Sequence, residues 1–393
     1  MRILKISDVY FPRINGVSTS IQTFRHEFQV LGHEVTLIAP AYGLDEAPEA
    51  DLIRIPARSV IRDPEDRFLK WRHILNLAPE LAKQGFDLIH IHTPFVAYYA
   101  GVALSERLGL PRVESYHTFF EEYLYHYIPF LPKAWLRFAA RRLTNTQCNN
   151  VDALVVPSTA MLGILRNYGV KSPAAIVPTG IELERFKGGK GARFRERYGI
   201  PVDRPTLVHI GRVAFEKNID FLLEVTKEVK QQEPRILLIV AGEGPAFNHL
   251  KKQVDALGLK DNVLFIGYLD REAELPDCYH AGDAFVFASR TETQGLVLLE
   301  AMALGIPVVS TAVMGTRDVV GPGRGALVAE DNVADFTAKV LTVLRDPELR
   351  QRLSAEGREY VKSWSAKACA LRLLELYQLA LRQHKAAPMQ GSV

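Results

Sequence analysis

The chain has 393 residues, of which 48% are hydrophobic, and its formal net charge at pH 7 is only +3. This length is too great for one ordinary hydrophobic core and sufficient for two, and the near-neutral charge argues against a general nucleic-acid-binding protein. The three cysteines, Cys148, Cys278 and Cys369, have spacings that fit neither a disulfide framework nor a zinc site. We therefore expect a cytoplasmic protein of two domains without nucleic-acid partners.

Short apolar segments alternate with helical segments along the whole chain. Alternation of this kind is typical of parallel sheets that are covered by helices on both faces. The segments form two series, so the predicted fold class is α/β, with two doubly wound Rossmann-like domains. The first series of predicted strands comprises residues 3–7, 35–39, 88–92, 113–117, 153–157 and 175–177, and the second comprises residues 206–211, 235–241, 263–267, 284–288, 307–310 and 326–328.

A glycine-rich, basic segment at residues 187–191 separates the two series and indicates a linker, because it lacks apolar periodicity. The predicted domains are therefore residues 1–185 and 186–370, followed by a helix and tail at residues 371–393. In open α/β sheets, ligands bind at the carboxyl ends of the strands. The candidate site residues that follow predicted strands are Gly16, His117, Arg212, Gly242 and Glu292.

Two carboxylates, Glu292 and Glu300, lie eight positions apart where a predicted strand gives way to a predicted helix. The helix begins near Gly295, so its positive N-terminal end lies between the two acids. This arrangement suits one acid that contacts a sugar hydroxyl, one that contacts a ribose, and backbone N–H groups at Gly295 and Leu296 that face an anionic diphosphate. Two unrelated surface acids would give the same spacing, so the pattern alone leaves both interpretations open.

Four other segments accompany this pair, and together they resemble a known family. They are residues 209–218, which place Arg212 and Lys217 five positions apart, and residues 240–245, 177–181 and 15–17. With the Glu-x7-Glu spacing, they resemble the retaining GT-B glycosyltransferases of family 4 (group 1), which include sucrose synthase. Within that family the chain looks like the bacterial diacylglycerol glucosyltransferases. The resemblance spans most of the chain, and the motifs occur in the family's order.

The resemblance implies a GT-B fold, in which two Rossmann-like domains face a central cleft. The domain at residues 1–185 would then bind the acceptor, the domain at residues 186–370 would bind a nucleotide sugar, and the last helix, around residues 371–382, would cross back to the first domain. It also implies transfer of a hexose with retention of configuration, and it assigns no covalent nucleophile to the protein.

Four residues would be catalytic in such an enzyme: His117, Arg212, Lys217 and Glu292. Cleavage of the sugar–phosphate bond develops negative charge on the diphosphate, which Arg212 and Lys217 would neutralise. Glu292 would position the sugar, and His117 would lie near the reacting carbon. The alternatives are a solvated loop pair at Arg212 and Lys217, and a histidine that only caps a strand. The predicted donor-binding residues are Gly16, Arg212, Lys217, Gly242, Gly244, Glu292, Gly295, Leu296 and Glu300.

Three further sequence features bear on ligand binding and on the need for a metal ion. Gly16 would let backbone N–H groups approach a phosphate without a Cβ in the way, although taken alone it would be an ordinary turn. Residues 240–245 lack the third glycine of a dinucleotide fingerprint, which argues against a dehydrogenase. The chain contains no Asp-x-Asp sequence. We therefore expect catalysis without a bound metal ion or any cofactor other than the donor.

The acceptor side is indicated by a local similarity and by two basic, aromatic clusters. Residues 114–127 look like the acceptor segment of bacterial diacylglycerol glucosyltransferases. The first cluster is the helix that follows residue 132, in which basic and aromatic stripes suit an anionic membrane surface. The second cluster occupies residues 59–73. Both clusters could instead be amphipathic helices packed on the sheet. The candidate acceptor or membrane residues are Tyr123, Tyr127, Lys133, Trp135, Arg137 and Arg141, with Phe138 beside them.

We expect a hexosyltransferase that moves a hexose from a nucleotide sugar, UDP-glucose in the first instance, to a lipid such as diacylglycerol at the inner face of the membrane. One alternative is the same fold acting with GDP-mannose or another donor on a soluble sugar or a different lipid. The other is a non-catalytic protein that binds nucleotides or glycans. Turnover excludes the non-catalytic protein, and lipid dependence separates the acceptors.

Overall fold

The computed structural model describes residues 1–13, 15–43, 49–60, 63–117, 133–270 and 274–386. The chain divides into two units, each with its own hydrophobic clusters. The first unit combines Met1–Gly180 with Ala366–Val393, and the second is Ile181–Ser365. Each unit is built on a parallel sheet with apolar clusters on both faces, so the predicted pair of doubly wound domains is confirmed.

The first unit is built around a sheet of short, buried strands. Its described strands are β1 (Arg2–Ile6), β2 (Glu34–Pro40), β3 (Leu52–Ile55), β4 (Ala57–Val60), β5 (Asp63–Leu69), β6 (Leu88–Ile91), β7 (Arg112–Ser115), β8 (Ala153–Val156) and β9 (Ala174–Ile176). The main sheet is parallel, in the order β3-β2-β1-β6-β7-β8-β9, and β4 and β5 form a separate antiparallel ribbon. In β1, Ile3 enters the cluster on one face and Leu4 that on the other, as expected of a parallel strand covered on both sides.

Helices cover both faces of this sheet. Their order in the first part of the chain is α1 (Gly16–Val30), α2 (Trp71–Asn76), α3 (Ala78–Gln84), α4 (Val96–Leu108), α5 (Lys133–Asn149) and α6 (Thr159–Asn167). Helix α1 begins with a capping box, in which the side chain of Asn15 accepts hydrogen bonds from the backbone N–H groups of Val17 and Ser18 at 3.0 and 2.9 Å. This cap fixes Gly16 as the first residue of the helix.

The second basic, aromatic cluster is not an amphipathic helix. Residues 63–69 form β5, whose backbone pairs antiparallel with β4, and a helix begins only at Trp71. The neighbouring strand supplies the hydrogen bonds that a helix would otherwise make internally, and Leu69 enters the core. The helical interpretation of residues 63–69 is therefore wrong.

The second unit repeats the design. Its described strands are β10 (Thr206–Ile210), β11 (Leu237–Ala241), β12 (Val263–Ile266), β13 (Ala284–Phe287), β14 (Val308–Thr311) and β15 (Ala326–Ala329), parallel in the order β12-β11-β10-β13-β14-β15. Its described helices are α7 (Gly191–Arg197), α8 (Ile219–Lys230), α9 (Phe247–Ala256), α10 (Glu274–Ala281), α11 (Leu296–Leu304), α12 (Thr316–Val320), α13 (Val333–Arg345) and α14 (Pro347–Tyr360).

The last helix, α15 (Ala366–Ala386), belongs to the first unit although the whole second unit precedes it in the sequence. Its buried side chains, Leu373 and Tyr377 among them, join the cluster that also contains Phe24 and Phe28 of α1. The rings of Phe28 and Tyr377 lie 5.7 Å apart between centroids. Among the residues that the structure describes, no helix is both long enough and apolar enough to cross a bilayer.

One lysine is buried under these two helices. Lys5 of β1 has no exposed surface, and its Nζ lies 5.6 and 5.2 Å from the ring centroids of Phe24 and Phe28. Within the described part of the chain, this nitrogen has no hydrogen-bond partner. Burial, and secondarily the charge of Arg25, lowers the pKa of Lys5 from 10.5 to about 7. The aromatic faces offset only part of the cost of removing an ammonium group from water.

Replacing Lys5 by methionine is expected to raise the melting temperature, most strongly below pH 7. The amine stays charged in the unfolded chain up to its ordinary pKa of 10.5 but loses its proton in the folded protein near pH 7. Because the unfolded chain binds the extra proton between these values, the stability of the wild type rises with pH across that window. The advantage of Lys5→Met should therefore shrink from pH 7 towards 10.5.

Thermal unfolding at both ends of this window measures the effect. Lys83→Met, which changes an exposed lysine of the same unit, is the control and should give no such pH-dependent gain. A loss of stability in Lys5→Met, or a gain that does not change with pH, would contradict the burial argument.

Candidate active site

The loop after β10 carries two of the predicted cations and is held in place by a second loop. The N–H of Val213 donates to the carbonyl of Glu243 at 2.9 Å, and the N–H of Ala246 donates to the carbonyl of Val213 at 3.0 Å. A Cβ on Gly242, where φ is +136°, would lie 2.0 Å from the carbonyl oxygen of Gly211. Only glycine permits this approach. Gly242 and its neighbour Gly244 therefore shape the loop that contains Arg212.

The loop ends in a single 3-10 turn, Phe215–Lys217, that brings Lys217 onto Glu292. The Lys217 ammonium and the Glu292 carboxylate form an ion pair, and their side chains are 20% and 18% exposed. The next residue, Asn218, adopts a left-handed conformation with φ of 55° and donates from Nδ2 to the carbonyl of Ala288 at 3.1 Å. The structure thus joins two residues that are far apart in sequence, and Lys217 is not a solvated loop residue.

Arg212 behaves differently from Lys217. Its side chain is exposed, and no acid pairs with it among the residues that the structure describes. A guanidinium group in this position keeps all of its N–H donors available for a ligand. The loop therefore offers one cation that is already neutralised by Glu292 and one that is not.

The segment that contains Glu292 is fixed from the opposite side by the loop before α12. The N–H of Gly315 donates to the carbonyl of Glu292 at 2.9 Å, and a Cβ on Gly315 would lie 1.9 Å from the carbonyl oxygen of Thr293. Gly295, with φ of +86°, then ends the loop, and α11 begins at Leu296 as predicted. The N-terminal end of α11 therefore directly follows the Glu292 loop.

Glu300 lies within α11 and is buried, with 7% of its surface exposed. The hydroxyl of Tyr279, in α10, donates to Oε2 of Glu300 at 2.9 Å. Sequence reasoning missed Tyr279, because no local pattern connects a tyrosine of one helix to an acid of the next. Glu300 is consequently a fixed acid and not an exposed residue at a helix start.

In the first unit, neither the packing of the described residues nor the backbone conformation requires a glycine at position 16. Among the residues that the structure describes, a Cβ added there would meet nothing within 4 Å, and its φ lies outside the left-handed region. The folded chain would therefore accept alanine at this position. The prediction that Gly16 faces a bound ligand would account for a glycine at this position.

Gly16→Ala is expected to weaken donor binding without lowering the melting temperature. The added methyl group would stand between the N-terminal N–H groups of α1 and a phosphate, and we expect the Kd of the nucleoside diphosphate to rise by about tenfold. Titration calorimetry and thermal unfolding measure the two effects. The matched control is Gly163→Ala in α6, where a Cβ also meets no described atom within 4 Å. Equal affinities in both variants would remove Gly16 from the donor site.

His117 follows β7 and contacts another histidine. Its Nε2 lies 3.2 Å from Nδ1 of His92, and the two rings are stacked with centroids 5.5 Å apart. Burial, followed by the charge of Lys5, lowers the pKa of His117 to about 4. The imidazole is therefore neutral at physiological pH, with one nitrogen that donates and one that accepts. His117 thus follows β7 and also contacts His92, while its role near the reacting carbon stays a prediction.

The acceptor candidates divide into two groups. Tyr123 and Tyr127 lie outside the described residues. In α5, which begins at Lys133, Trp135 and Phe138 are 73% and 67% exposed, while Leu136 and Ala140 face the interior. Helix α5 therefore buries Leu136 and Ala140 and leaves both aromatic side chains exposed. Arg137 and Arg141 are also exposed.

Within the described residues, no group of three or more histidine, cysteine, aspartate or glutamate side chains is arranged to hold a metal ion. His90, in β6, and His92, one residue after the end of β6, are engaged with neighbouring side chains. The expectation that catalysis needs no bound metal stays a prediction, which chelation can test.

Comparison with known proteins assigns the family. Residues 192–360 match the family model "Glycosyl transferases group 1", and residues 14–185 match "Glycosyltransferase Family 4". Alpha-monoglucosyldiacylglycerol synthase of Streptococcus pneumoniae is 34% identical over 320 residues, covering 79% of this chain and 71% of that protein. The protein of the same name from Acholeplasma laidlawii is 27% identical, covering 96% of this chain and 97% of its own.

The fold is equally well matched among solved structures. Sucrose-phosphate synthase from Thermosynechococcus elongatus superimposes with a TM-score of 0.76 at 22% identity, covering 98% of this chain and 100% of that chain. The structural match and the family models agree over both units. The chain therefore belongs to the family 4 (group 1) glycosyltransferases, and it is a hexosyltransferase with the GT-B fold.

Proposed function

We propose that this enzyme transfers glucose from a nucleotide diphospho-sugar, UDP-glucose in the first instance, to a diacylglycerol-type lipid and forms an α-glycosidic bond with retention. The observation that carries the donor side is the ion pair between Lys217 and Glu292. The acceptor is supported by two relatives, both called alpha-monoglucosyldiacylglycerol synthase.

The contact between Lys217 and Glu292 has a direct chemical meaning. In a nucleotide sugar, the sugar hydroxyl groups lie close to the diphosphate, on which negative charge develops during transfer. A carboxylate that binds the hydroxyl groups and an ammonium that binds the diphosphate therefore have to lie close together. Arg212, which is exposed on the same loop, can add a bidentate contact to the phosphate oxygens. Glu300, held by Tyr279, is our candidate for the ribose hydroxyls. When the donor binds, the diphosphate replaces Glu292 as the partner of Lys217.

The first unit supplies the other proposed residues. Gly16, at the start of α1, is assigned to a donor phosphate, and the neutral imidazole of His117 is assigned to the reacting carbon and its surroundings. No residue is assigned as a covalent nucleophile. Together, Arg212 and Lys217 take over the charge neutralisation that a divalent metal would provide, so turnover should survive EDTA.

A panel of UDP-, GDP- and ADP-sugars tests this proposal with the purified enzyme, in EDTA, with and without diacylglycerol in anionic vesicles. Release of one nucleotide with a new α-linked glycolipid would support the proposal and identify the donor. Turnover only with soluble sugars would reject the lipid acceptor, and turnover with a GDP-sugar would replace the donor. Activity that disappears in EDTA and returns with magnesium would reject metal independence.

Membrane binding is the remaining element of the proposal. The exposed Trp135 and Phe138, next to the exposed Arg137 and Arg141, form a surface suited to anionic lipid headgroups. The double variant Trp135→Ala, Phe138→Ala should lose sedimentation with anionic vesicles. Tyr268→Ala, which removes an aromatic side chain that is 75% exposed in the second unit, is the matched control and should sediment like the wild type. Unchanged sedimentation of the double variant would exclude α5 as the docking surface.

A further inference from the structure

A series of contacts connects the C-terminal helix to His117 across one face of the first sheet. The hydroxyl of Tyr377, in α15, lies 2.5 Å from Nδ1 of His90. The His90 ring packs on that of His92, with centroids 4.1 Å apart. Nδ1 of His92 lies 3.2 Å from Nε2 of His117. The three histidines and the tyrosine thus form one continuous chain of contacts, which we call the histidine relay.

The first contact of the histidine relay determines the tautomer of His90. Tyr377 is fully buried, and burial raises the pKa of its phenol well above the ordinary value, so the hydroxyl keeps its proton. His90 is the partner that the structure gives this hydroxyl, so the proton is donated to Nδ1. Nε2 of His90 then carries the ring proton and donates it to Oγ of Ser115 at 2.8 Å. Both nitrogens are engaged, and the ring cannot turn without breaking a buried hydrogen bond.

The same reasoning extends to His92 and His117. Burial, the largest cause, lowers the pKa of His92 well below its ordinary value, so its ring is neutral and has one N–H. Nε2 of His92 is buried and has no hydrogen-bond partner among the described residues. The favourable tautomer therefore places the proton on Nδ1, where it is donated to Nε2 of His117. His117 is left with its own proton on Nδ1, as a donor that a ligand can use.

We propose that Tyr377 is a positioning residue for the glycosyl transfer: its hydroxyl fixes the ring of His90, and because that ring packs on His92, it also fixes the orientation of His92 and of His117. The inference rests on the proposed role of His117 beside the reacting carbon. It gives the C-terminal helix a function in the reaction that goes beyond covering the sheet.

Tyr377→Phe tests the proposal because it removes one oxygen and retains the ring. Residues that orient a metal-binding histidine typically contribute about tenfold to a hundredfold. We expect a similar contribution from a residue that orients His117, so kcat should fall by about tenfold while the KM for the nucleotide sugar changes by less than about twofold. Tyr98→Phe is the matched control. Tyr98 is also buried in the first unit, and its hydroxyl donates to the carbonyl of Gln147 at 3.0 Å, away from the histidine relay.

A purely structural role predicts similar losses of melting temperature in both variants and an unchanged kcat in both. The histidine relay predicts a loss of kcat in Tyr377→Phe alone. Nuclear magnetic resonance of the imidazole nitrogens adds a readout that a structural role would not move. In the wild type, Nδ1 of His90 should be unprotonated and Nδ1 of His117 protonated. The His117 signals should shift in Tyr377→Phe and stay in place in Tyr98→Phe.

Combination with His117→Ala separates this inference from the proposed function. If Tyr377 acts through His117, Tyr377→Phe should have no further effect on kcat in the His117→Ala background, because the two losses share one cause. An independent, additive loss would overturn the histidine relay and leave the role of His117 intact. Unchanged turnover in His117→Ala alone would overturn both. If Tyr377→Phe does not fold, Ser115→Ala, which removes the other partner of His90, has to reproduce the loss of kcat, and an unchanged kcat there would overturn the proposal.

Discussion

Lys217→Ala is expected to lower turnover of the nucleotide sugar by more than about tenfold while the protein remains folded, because removal of one group that stabilises developing charge typically costs that much or more. The ammonium is the proposed partner of the diphosphate as the sugar leaves it. Steady-state kinetics with the preferred donor and thermal unfolding measure the two quantities. Lys227→Ala, which breaks the exposed pair of Lys227 with Glu224 in α8, is the control and should retain wild-type turnover.

Exchanging the two charges distinguishes catalysis from loop stabilisation. The double variant Lys217→Glu, Glu292→Lys can rebuild the ion pair in reverse and should recover most of any stability that Lys217→Ala loses. Its turnover of the nucleotide sugar should be no higher than that of Lys217→Ala, because a carboxylate would now face the diphosphate. Recovery of turnover in the exchanged variant would mean that the pair only holds the two loops together. Wild-type turnover in Lys217→Ala would sink the diphosphate assignment altogether.

Glu292→Gln and Glu300→Gln should differ in which ligand they weaken. Glu300 is assigned to the ribose, which the free nucleoside diphosphate and the intact donor share. Glu300→Gln should therefore raise the Kd of both by about tenfold, as expected for a hydrogen bond to a charged group. Glu292 is assigned to the hexose, which only the intact donor contains. Glu292→Gln should raise the Kd of the nucleotide sugar by about tenfold and leave that of the nucleoside diphosphate unchanged or lower, because Lys217 is freed for the phosphates.

Titration calorimetry of each variant with both ligands, using a donor analogue that does not turn over, measures the four constants. A parallel loss of both ligands in Glu292→Gln would show that this acid does not act on the hexose. Unchanged binding of the nucleoside diphosphate in Glu300→Gln would remove Glu300 from the ribose, and its bond from Tyr279 would then be only structural.

Every strand predicted from the sequence is present, because strands buried on both faces are nearly continuous apolar runs. The strands that were missed lie between residues 52 and 69. Leu52–Ile55 is a short edge strand, and the ribbon of β4 and β5 is held by its own pairing register, with arginines along both strands. Neither produces an apolar run. The basic, aromatic pattern of residues 59–73 is compatible with an amphipathic helix, because pairing with a neighbouring strand leaves no sign in a local sequence pattern.

The candidate site shows the same limit at the level of side chains. Motif spacing placed Glu292 in a loop and Glu300 in a helix, and the structure confirms both positions. The spacing of the motifs does not predict the ion pair between Lys217 and Glu292 or the hydrogen bond from Tyr279 to Glu300, because these contacts depend on how separate elements pack. The functional assignments of the predicted residues stay predictions. Lys5 was missed because a lysine in an apolar strand resembles any other polar interruption until its burial is known.

Because α15 lies at the end of the sequence, the first unit is completed only after the whole second unit has been synthesised. The ribosome completes all of Ile181–Ser365 before it makes the helix that covers Phe24 and Phe28. The second unit can therefore fold while the nascent first unit still exposes an apolar surface, a state that favours aggregation and chaperone binding. A premature stop codon within α15 would not yield a slightly shortened enzyme. It would release a polypeptide whose first unit lacks part of the helix that covers its core.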